Sequence, residues 1–232
     1  MESQYNLHKY RIAKFIREVT VYPVSCEKLA NGRTDAQWLD AVLGGGARIV
    51  QLRDKESADR VLYEKALLFR RKTREAGALF IVNNRLDIAL LAEADGIHLG
   101  NSDLPAAEVR KMAPEMLIGV SANTPEQAAS AKERGASYFN IGPLFPTATK
   151  EGLSTFLGPA AIADFAGRSD LPFTVMGGIK LHHVAELIAA GAQRLAVVTA
   201  ITKAPDMAEA TRLWVETITS QLRDTTTNPS KP

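Results

Sequence analysis

The feature that most constrains the fold is an alternation of short apolar runs with longer amphipathic segments, repeated along nearly the whole chain. Two of the runs, residues 79–82 and 195–198, are apolar at every position rather than at every second one. Continuous apolar runs of this length are typical of parallel strands that are buried on both faces. The predicted strands are residues 20–24, 47–52, 79–82, 96–99, 117–120, 138–141, 173–176 and 195–198.

Eight strand-then-helix units in a chain of 232 residues favour a single (β/α)₈ TIM barrel over an open doubly wound sheet. Apolar residues make up 46% and charged residues 23%, which excludes collagenous, coiled-coil and disordered chains. We predict a barrel over residues 20–222 and an N-terminal extension over 1–19. The extension is predicted to form an extra helix, with a frayed terminus as the alternative. Residues 223–232 are polar and predicted to be a disordered tail.

Charge and cysteine content restrict the possible partners and the compartment. The 28 basic and 26 acidic residues give a net charge of +2, too balanced for binding nucleic acid by electrostatics alone. A lone cysteine, Cys26, cannot form an intrachain disulfide and suits a reducing compartment. No apolar run approaches the roughly 18 residues that a membrane-spanning helix needs. We therefore expect a cytoplasmic protein that binds small molecules and neither nucleic acid nor membranes, with its oligomeric state open.

Charged side chains follow the predicted strands at the points where a barrel carries its catalytic groups. Arg53 and Lys55 come directly after the second predicted strand, and Lys150 lies in the segment after the sixth. Two cations next to a buried strand are costly unless an anion meets them there. Arg53, Lys55 and Lys150 outnumber the nearby carboxylates of Asp54 and Asp103, and this excess of positive charge predicts a rim that binds a multiply charged anion.

A glycine pair follows the seventh predicted strand, at Gly177 and Gly178. Glycines let backbone amides approach a ligand closely, and the loops after strands seven and eight form a recurrent phosphate site in TIM barrels. A tight structural turn is the alternative interpretation of the pair. Two anion-binding regions on one rim predict two phosphorylated substrates or one bisphosphate.

Seven segments of the chain carry a resemblance to a known family: QLRDK, VNNRLDIAL, ADGIHLGNSDLP, GVSAN, GPLFPTATK, MGGI and AVVTAI. In this order and spacing, over roughly residues 20–220, the chain resembles the thiamine phosphate synthase family, also called thiamine-phosphate pyrophosphorylases. The resemblance implies a (β/α)₈ barrel. It also implies a transferase that uses Mg²⁺ to join hydroxymethylpyrimidine diphosphate to thiazole phosphate, giving thiamine phosphate and pyrophosphate.

The same resemblance implies roles for individual residues. Gln51 and Asn83 are expected to hold the aminopyrimidine, and Asp103 is expected to bind Mg²⁺. The residues implied at the diphosphate are Arg53, Lys55, Ser121 and Lys150. The residues implied at the thiazole phosphate are Thr147, Thr149, Gly178, Val198 and Thr199.

Two positions depart from the family pattern. Asn84 stands where the family usually carries an aspartate that is a second Mg²⁺ ligand, so we expect Asn84 to bind the metal weakly. Asn123 stands where histidine is common, and in the related thiazole tautomerases that histidine transfers protons. An amide cannot do so, which argues against tautomerase activity. A tautomerase-like isomerase and a non-catalytic relative that binds thiazole phosphate or thiamine phosphate remain the alternatives.

Other charged and polar residues have structural interpretations. His98 is predicted to be a hydrogen-bonded core histidine. Asp54 is predicted to fix Arg53 and Lys55 in place, with a catalytic role as the alternative. Residues 64–74 are predicted to form a solvated helix face with ion pairs four residues apart.

Overall fold

The computed structural model describes residues 2–147 and 155–227 and contains eight parallel strands in one barrel. The predicted bounds of the fourth, sixth and seventh strands coincide with the observed ones, and the others differ by one or two residues at one end or, for the first strand, by one residue at both ends. The strands are β1 (Val21–Pro23), β2 (Ile49–Leu52), β3 (Leu79–Asn83), β4 (Gly96–Leu99), β5 (Leu117–Ala122), β6 (Tyr138–Ile141), β7 (Phe173–Met176) and β8 (Leu195–Val197).

The sheet closes on itself. The strands are ordered β1-β8-β7-β6-β5-β4-β3-β2, and every neighbouring pair is parallel. The two ends of this order meet at a parallel bridge between Val24 and Gln51, where the Ser25 amide donates to the Gln51 carbonyl oxygen at 2.8 Å. The predicted TIM barrel is confirmed.

Helices surround the barrel and follow the strands along the chain. Their starts are marked locally: Thr34 and Gln37 form a capping box, and Pro125 occupies the first turn of its helix. The helices are α1 (Glu2–Glu18), α2 (Asp35–Gly44), α3 (Asp59–Glu75), α4 (Leu86–Leu91), α5 (Ala106–Met112), α6 (Pro125–Ser130), α7 (Ala161–Gly167), α8 (Val184–Ala189), α9 (Thr199–Thr202) and α10 (Met207–Thr227). None of them is long and apolar enough to cross a bilayer.

Helix α1 covers the end of the barrel where the strands begin. Phe15 is fully buried, and its ring stacks on Tyr138 with the centroids 4.6 Å apart. The Arg194 guanidinium donates to the carbonyl oxygens of Phe15 and Ile16, and Arg11 pairs with Asp95 at 3.2 Å. The extra N-terminal helix expected from the sequence is present, and it leaves the opposite end of the barrel open.

The C-terminal tail departs from its prediction. We expected disorder over residues 223–232, but α10 continues to Thr227. The hydroxyl of Thr225 donates to the carbonyl oxygen of Leu222 at 2.9 Å, one turn earlier in the helix. The last turn of α10 is therefore helical although its residues are polar, and polar composition alone does not distinguish such a helix end from a disordered tail. Residues 228–232 lie outside the described residues.

Candidate active site

A cavity of about 480 Å³ lies at the carboxyl ends of the strands, and residues from the end of every strand or the loop after it line its wall. Its volume is typical of small-molecule sites. The sequence-predicted site residues that line it are Gln51, Arg53, Lys55, Asn83, Asn84, Asp103, Ser121, Thr147, Gly178, Val198 and Thr199. Two further predicted residues, Thr149 and Lys150, lie outside the described residues.

One side of the cavity is cationic. Within the described residues, neither Arg53 nor Lys55 forms an ion pair with a carboxylate. The Arg53 guanidinium contacts the Cys26 sulfur at 3.9 Å, and its backbone amide donates to Ser25 Oγ at 3.0 Å. Cations that face a cavity without a carboxylate partner raise the local concentration of anions. This arrangement agrees with a site for a phosphorylated ligand.

Asp54 lies between these two cations in sequence but does not line the cavity. Its carboxylate accepts hydrogen bonds from the amides of Glu56 (3.0 Å) and Ser57 (2.9 Å) and from Lys65 Nζ (2.7 Å). Although burial opposes it, hydrogen bonds from Lys65 and Ser57 hold the pKa of Asp54 well below its ordinary value. Asp54 therefore forms no ion pair with Arg53 or Lys55 within the described residues, and the role of fixing these two cations stays a prediction.

Gln51 connects the cavity to a buried polar chain inside the barrel. Its Nε2 donates to the Tyr22 hydroxyl at 3.0 Å, and that hydroxyl lies 3.1 Å from the hydroxyl of Tyr138. This bond uses one of the two Nε2 hydrogens, so the second N–H and the Oε1 acceptor of Gln51 have no partner among the described residues and can bind a ligand.

His98 lies beside Ser121 at the cavity wall. Its Nε2 is 3.2 Å from Ser121 Oγ, whereas its buried Nδ1 has no partner among the described residues. The prediction of a hydrogen-bonded core histidine is therefore right for one ring nitrogen and wrong for the other. Burial lowers the pKa of His98 to about 4, so the imidazole is neutral near pH 7.

The two residues predicted to bind a metal ion, Asp103 and Asn84, both line the cavity. Asp103 Oδ2 accepts a hydrogen bond from the Gly100 amide at 2.5 Å. Asn84 has a φ of +66°, a left-handed conformation that asparagine and aspartate adopt more readily than most residues. Carboxylate and amide oxygens are suitable ligands for Mg²⁺, which commonly takes one or two carboxylates together with substrate phosphates. The residues present therefore fit this ion.

Three other carboxylates lie close together near the loop after β2. Carboxylate oxygens of Glu27, Asp35 and Asp54 lie within 4.8 Å of one another. The ammonium group of Lys65 donates to all three carboxylates, so a cation already occupies their centre. This group is not the metal site predicted from the sequence.

The glycine pair after β7 has a packing role as well as a place at the cavity. Both glycines have positive φ, +105° at Gly177 and +65° at Gly178. A Cβ on Gly178 would lie 2.4 Å from the carbonyl oxygen of Pro146, and the Phe145 amide donates to the Gly177 carbonyl oxygen at 3.0 Å. The two glycines therefore form a tight structural turn, and they also line the cavity.

Some cavity residues escaped the sequence analysis. Asn140 lies within β6 and accepts a hydrogen bond from the Thr174 hydroxyl at 2.7 Å. The signal that could have identified it is a lone polar residue inside the buried run YFNI. Asn123, named above only as a departure from the family pattern, also lines the cavity beside Asn101, whose Nδ2 donates to the Oδ1 of Asn123 at 2.6 Å.

A closed (β/α)₈ barrel with Arg53 and Lys55 at its cavity, and with no carboxylate partner for either among the described residues, is typical of enzymes that act on phosphorylated small molecules. A model of the thiamine monophosphate synthase family matches residues 21–201, and the chain belongs to this family. The family expected from the sequence motifs is confirmed.

Individual relatives agree with this assignment. The thiamine-phosphate synthase of Methanospirillum hungatei is 41% identical over 197 residues, which are 84% of this chain and 96% of the relative. That of Moorella thermoacetica is 41% identical over 200 residues, or 86% and 95% of the two chains. The solved thiamine phosphate pyrophosphorylase of Pyrococcus furiosus matches with a TM-score of 0.82 at 30% identity and covers 88% of this chain and 98% of its own.

Proposed function

We propose that this chain condenses hydroxymethylpyrimidine diphosphate with thiazole phosphate to give thiamine phosphate and pyrophosphate. Family membership supports this reaction, and one observation carries it in the structure: Arg53 and Lys55 face the cavity with no carboxylate partner among the described residues. A cation pair left open in this way suits a diphosphate, which carries several negative charges.

The proposed reaction begins with departure of pyrophosphate. The bond between the pyrimidine methylene carbon and the diphosphate oxygen breaks, and its electron pair leaves with the oxygen. Arg53, Lys55, Ser121 and Lys150 stabilise the negative charge on that oxygen and its neighbours. The thiazole nitrogen then donates its lone pair to the methylene carbon. This nitrogen carries no proton, so the step needs no general base.

The other side chains are proposed to position the two reactants. Gln51, oriented by Tyr22, presents its Oε1 to the aminopyrimidine, and Asn83 adds a second amide contact. The thiazole phosphate is proposed to bind Thr147 and Thr149 together with backbone groups at Gly178, Val198 and Thr199. Amides in the first turn of a helix have no carbonyl partner within it, and Thr199 begins α9. Positioning alone supplies much of the barrier reduction in a reaction of this type.

Asp103 is proposed to hold Mg²⁺, with the side-chain oxygen of Asn84 as a weaker ligand. When bound, this ion supplies positive charge to the diphosphate oxygens. We also propose a cytoplasmic location, which the lone cysteine supports. The tautomerase-like alternative has no support at Asn123, because its Nδ2 donates to the Gly142 carbonyl oxygen at 2.5 Å and an amide does not titrate. The binding-only alternative is kept because Asn84 lacks the charge of an aspartate.

The experiment supplies both substrates and Mg²⁺ and follows thiamine phosphate, pyrophosphate and the thiazole isomer by chromatography. We expect thiamine phosphate and pyrophosphate in equal amounts. Isomer formed without the diphosphate substrate would instead support the isomerase. No product, together with stabilisation by thiamine phosphate, would support the binding-only relative.

A matched pair of variants tests the cation pair. Arg53 directly follows β2 at the cavity, whereas Arg48 directly precedes β2 and donates to the Ala76 carbonyl oxygen at 3.1 Å. We expect Arg53→Met to lower kcat/KM for the pyrimidine diphosphate by about a hundredfold or more, the scale for losing one donor to a developing anion. Arg48→Met should leave it unchanged. Equal effects of the two variants would contradict the assignment.

A further inference from the structure

The ammonium group of Lys65, on α3, is shared by three carboxylates. Lys65 Nζ donates to Asp54 Oδ2 at 2.7 Å, to Asp35 Oδ2 at 2.9 Å and to Glu27 Oε2. The side chains of Asp35, Asp54 and Lys65 are 5%, 10% and 20% exposed, whereas that of Glu27 is 40% exposed. The interaction is therefore a largely buried ion cluster and not part of a solvated helix face, as the sequence had suggested.

The cluster joins segments that are distant in the chain. Glu27 lies in the short helical turn after β1, Asp35 begins α2, and Asp54 lies in the loop after β2. Three negative charges surround one positive charge, and Asp35 Oδ1 has no partner among the described residues. Burial raises the pKa of Asp35 to about 6, although the hydrogen bond from Lys65 acts in the opposite direction. A buried ion cluster with unbalanced charge is weak support for stability and points to a role in fixing one conformation.

The conformation that this cluster fixes is that of the loop carrying the cavity cations. The carboxylate of Asp54 accepts hydrogen bonds from the amides of Glu56 and Ser57 and from Ser57 Oγ at 2.6 Å, so the loop folds around it. Asp54 does not line the cavity, whereas its two neighbours, Arg53 and Lys55, do. The ion pair between Lys65 and Asp54 therefore fixes the conformation of the backbone that carries both cavity cations.

Lys65 also provides a cationic partner for the carboxylates near this loop. With Lys65 present, the carboxylates of Glu27, Asp35 and Asp54 all have a cationic partner. Neither Arg53 nor Lys55 forms an ion pair with these carboxylates within the described residues, and both line the cavity, where a ligand can reach them.

We propose that Lys65 is a positioning residue that acts through Asp54 to preset Arg53 and Lys55 for the diphosphate group of the substrate and for the pyrophosphate product. This inference rests on the proposed function and deepens it. Lys65 does not touch the substrate. Its contribution is that the cations need no rearrangement when the diphosphate arrives, which is the physical basis of preorganised binding.

The test is a calorimetric titration of the full chain with inorganic pyrophosphate and Mg²⁺, together with steady-state kinetics. Lys65→Met is compared with Lys72→Met, a change on the same helix at a lysine that pairs with Asp40. We expect Lys65→Met to weaken pyrophosphate binding by about tenfold or more and to raise KM for the pyrimidine diphosphate equally. KM for thiazole phosphate should stay unchanged, Lys72→Met should match wild type, and Lys65→Arg should restore part of the loss.

Wild-type pyrophosphate affinity in a folded Lys65→Met variant would overturn the inference. So would an equal rise in KM for both substrates, because that pattern indicates a general loss of structure. If Lys65→Met does not fold, Asp54→Asn replaces it, since the amide keeps the acceptor for the loop amides and removes the charge that Lys65 holds. Asp54→Asn is then expected to weaken pyrophosphate binding, and unchanged binding would overturn the inference. A wild-type chain that binds no pyrophosphate would overturn the proposed function and this inference with it.

Discussion

At residue 84, one side chain sets how much negative charge the cavity offers to a metal ion. Asparagine supplies an oxygen without a charge, so Asp103 is the carboxylate of the proposed Mg²⁺ site. We predict that Asn84→Asp lowers the Mg²⁺ concentration needed for half-maximal activity by about tenfold to a hundredfold. This is the usual change in metal affinity when a residue that supports the metal ligands is substituted. The left-handed φ of +66° suits aspartate as well as asparagine, so the fold should tolerate the change.

Asn31→Asp is the matched control for this prediction. Asn31 is also an asparagine with positive φ, at +54°, but it lies before α2 and does not line the cavity. The control adds the same charge in the same backbone conformation and should leave the Mg²⁺ requirement unchanged. Identical Mg²⁺ titrations for wild type and Asn84→Asp would rule out Asn84 as a metal-binding position.

His98 gives a prediction about stability and pH. Burial lowers its pKa from 6.5 to about 4 in the folded chain, so the unfolded chain takes up the proton first as the pH falls. The stability that depends on a neutral His98 is complete above pH 6.5 and is lost as the pH falls toward 4. Between pH 7 and pH 5, wild type should lose about 2 kcal/mol more unfolding free energy than His98→Gln. Denaturant titrations at both pH values measure this difference, and parallel losses in the two proteins would contradict it.

At the scale of elements, α1 is a stabilising cover that lies away from the chemistry. Phe15 is fully buried against Tyr138, while the neighbouring Ile16 is 47% exposed. We predict that Phe15→Ala lowers the free energy of unfolding by about 3–5 kcal/mol, because it leaves a cavity in the core. Ile16→Ala should change it by about 0.5 kcal/mol or less, as expected for a surface position.

Activity provides the second readout for α1. The cavity lies at the carboxyl ends of the strands, whereas Phe15 contacts Tyr138, the first residue of β6. At a temperature where Phe15→Ala remains folded, its kcat and KM should therefore match those of wild type. A large loss of kcat in the folded variant would show that α1 affects the site as well as the stability.

The strands were predictable from the sequence because their signal is local. A run such as LFIV at residues 79–82 is apolar on both faces, as is typical of a parallel strand covered on both sides, and the alternation with amphipathic segments favours that interpretation. The position of a polar residue after such a strand then follows from the topology, which explains how residues as distant as Arg53 and Val198 were expected at one cavity. Their individual roles at that cavity remain predictions.

The ion cluster of Lys65 was not predictable in the same way. Helical periodicity assigns Lys65 to a face of α3 but does not identify its partners, which lie 11, 30 and 38 residues away in sequence. The pattern predicted pairs four residues apart. One such pair, Arg60 with Glu64 at 3.3 Å, is present, whereas Arg70 pairs with Asp95 and Lys72 with Asp40 in other parts of the chain. Tertiary packing, which the helix pattern alone does not encode, determined the outcome.

At the scale of the whole molecule, ligand binding should be visible as stability. A ligand that binds only the folded chain, present at a hundred times its Kd, adds about 2.7 kcal/mol. For a chain of this size we predict that pyrophosphate with Mg²⁺ raises Tm by about 5–10 °C, and that Arg53→Met abolishes most of the shift. A scanning calorimeter measures both. Stabilisation by thiazole phosphate alone, with none by pyrophosphate, would favour a binding-only relative.

The most direct test of the whole account is a crystal structure of the chain with pyrophosphate and Mg²⁺. We predict that the pyrophosphate oxygens lie within hydrogen-bond distance of Arg53, Lys55 and Ser121, and that the metal ion is bound to Asp103. Pyrophosphate bound outside the cavity, or inside it with Arg53 and Lys55 turned away, would contradict the central claim.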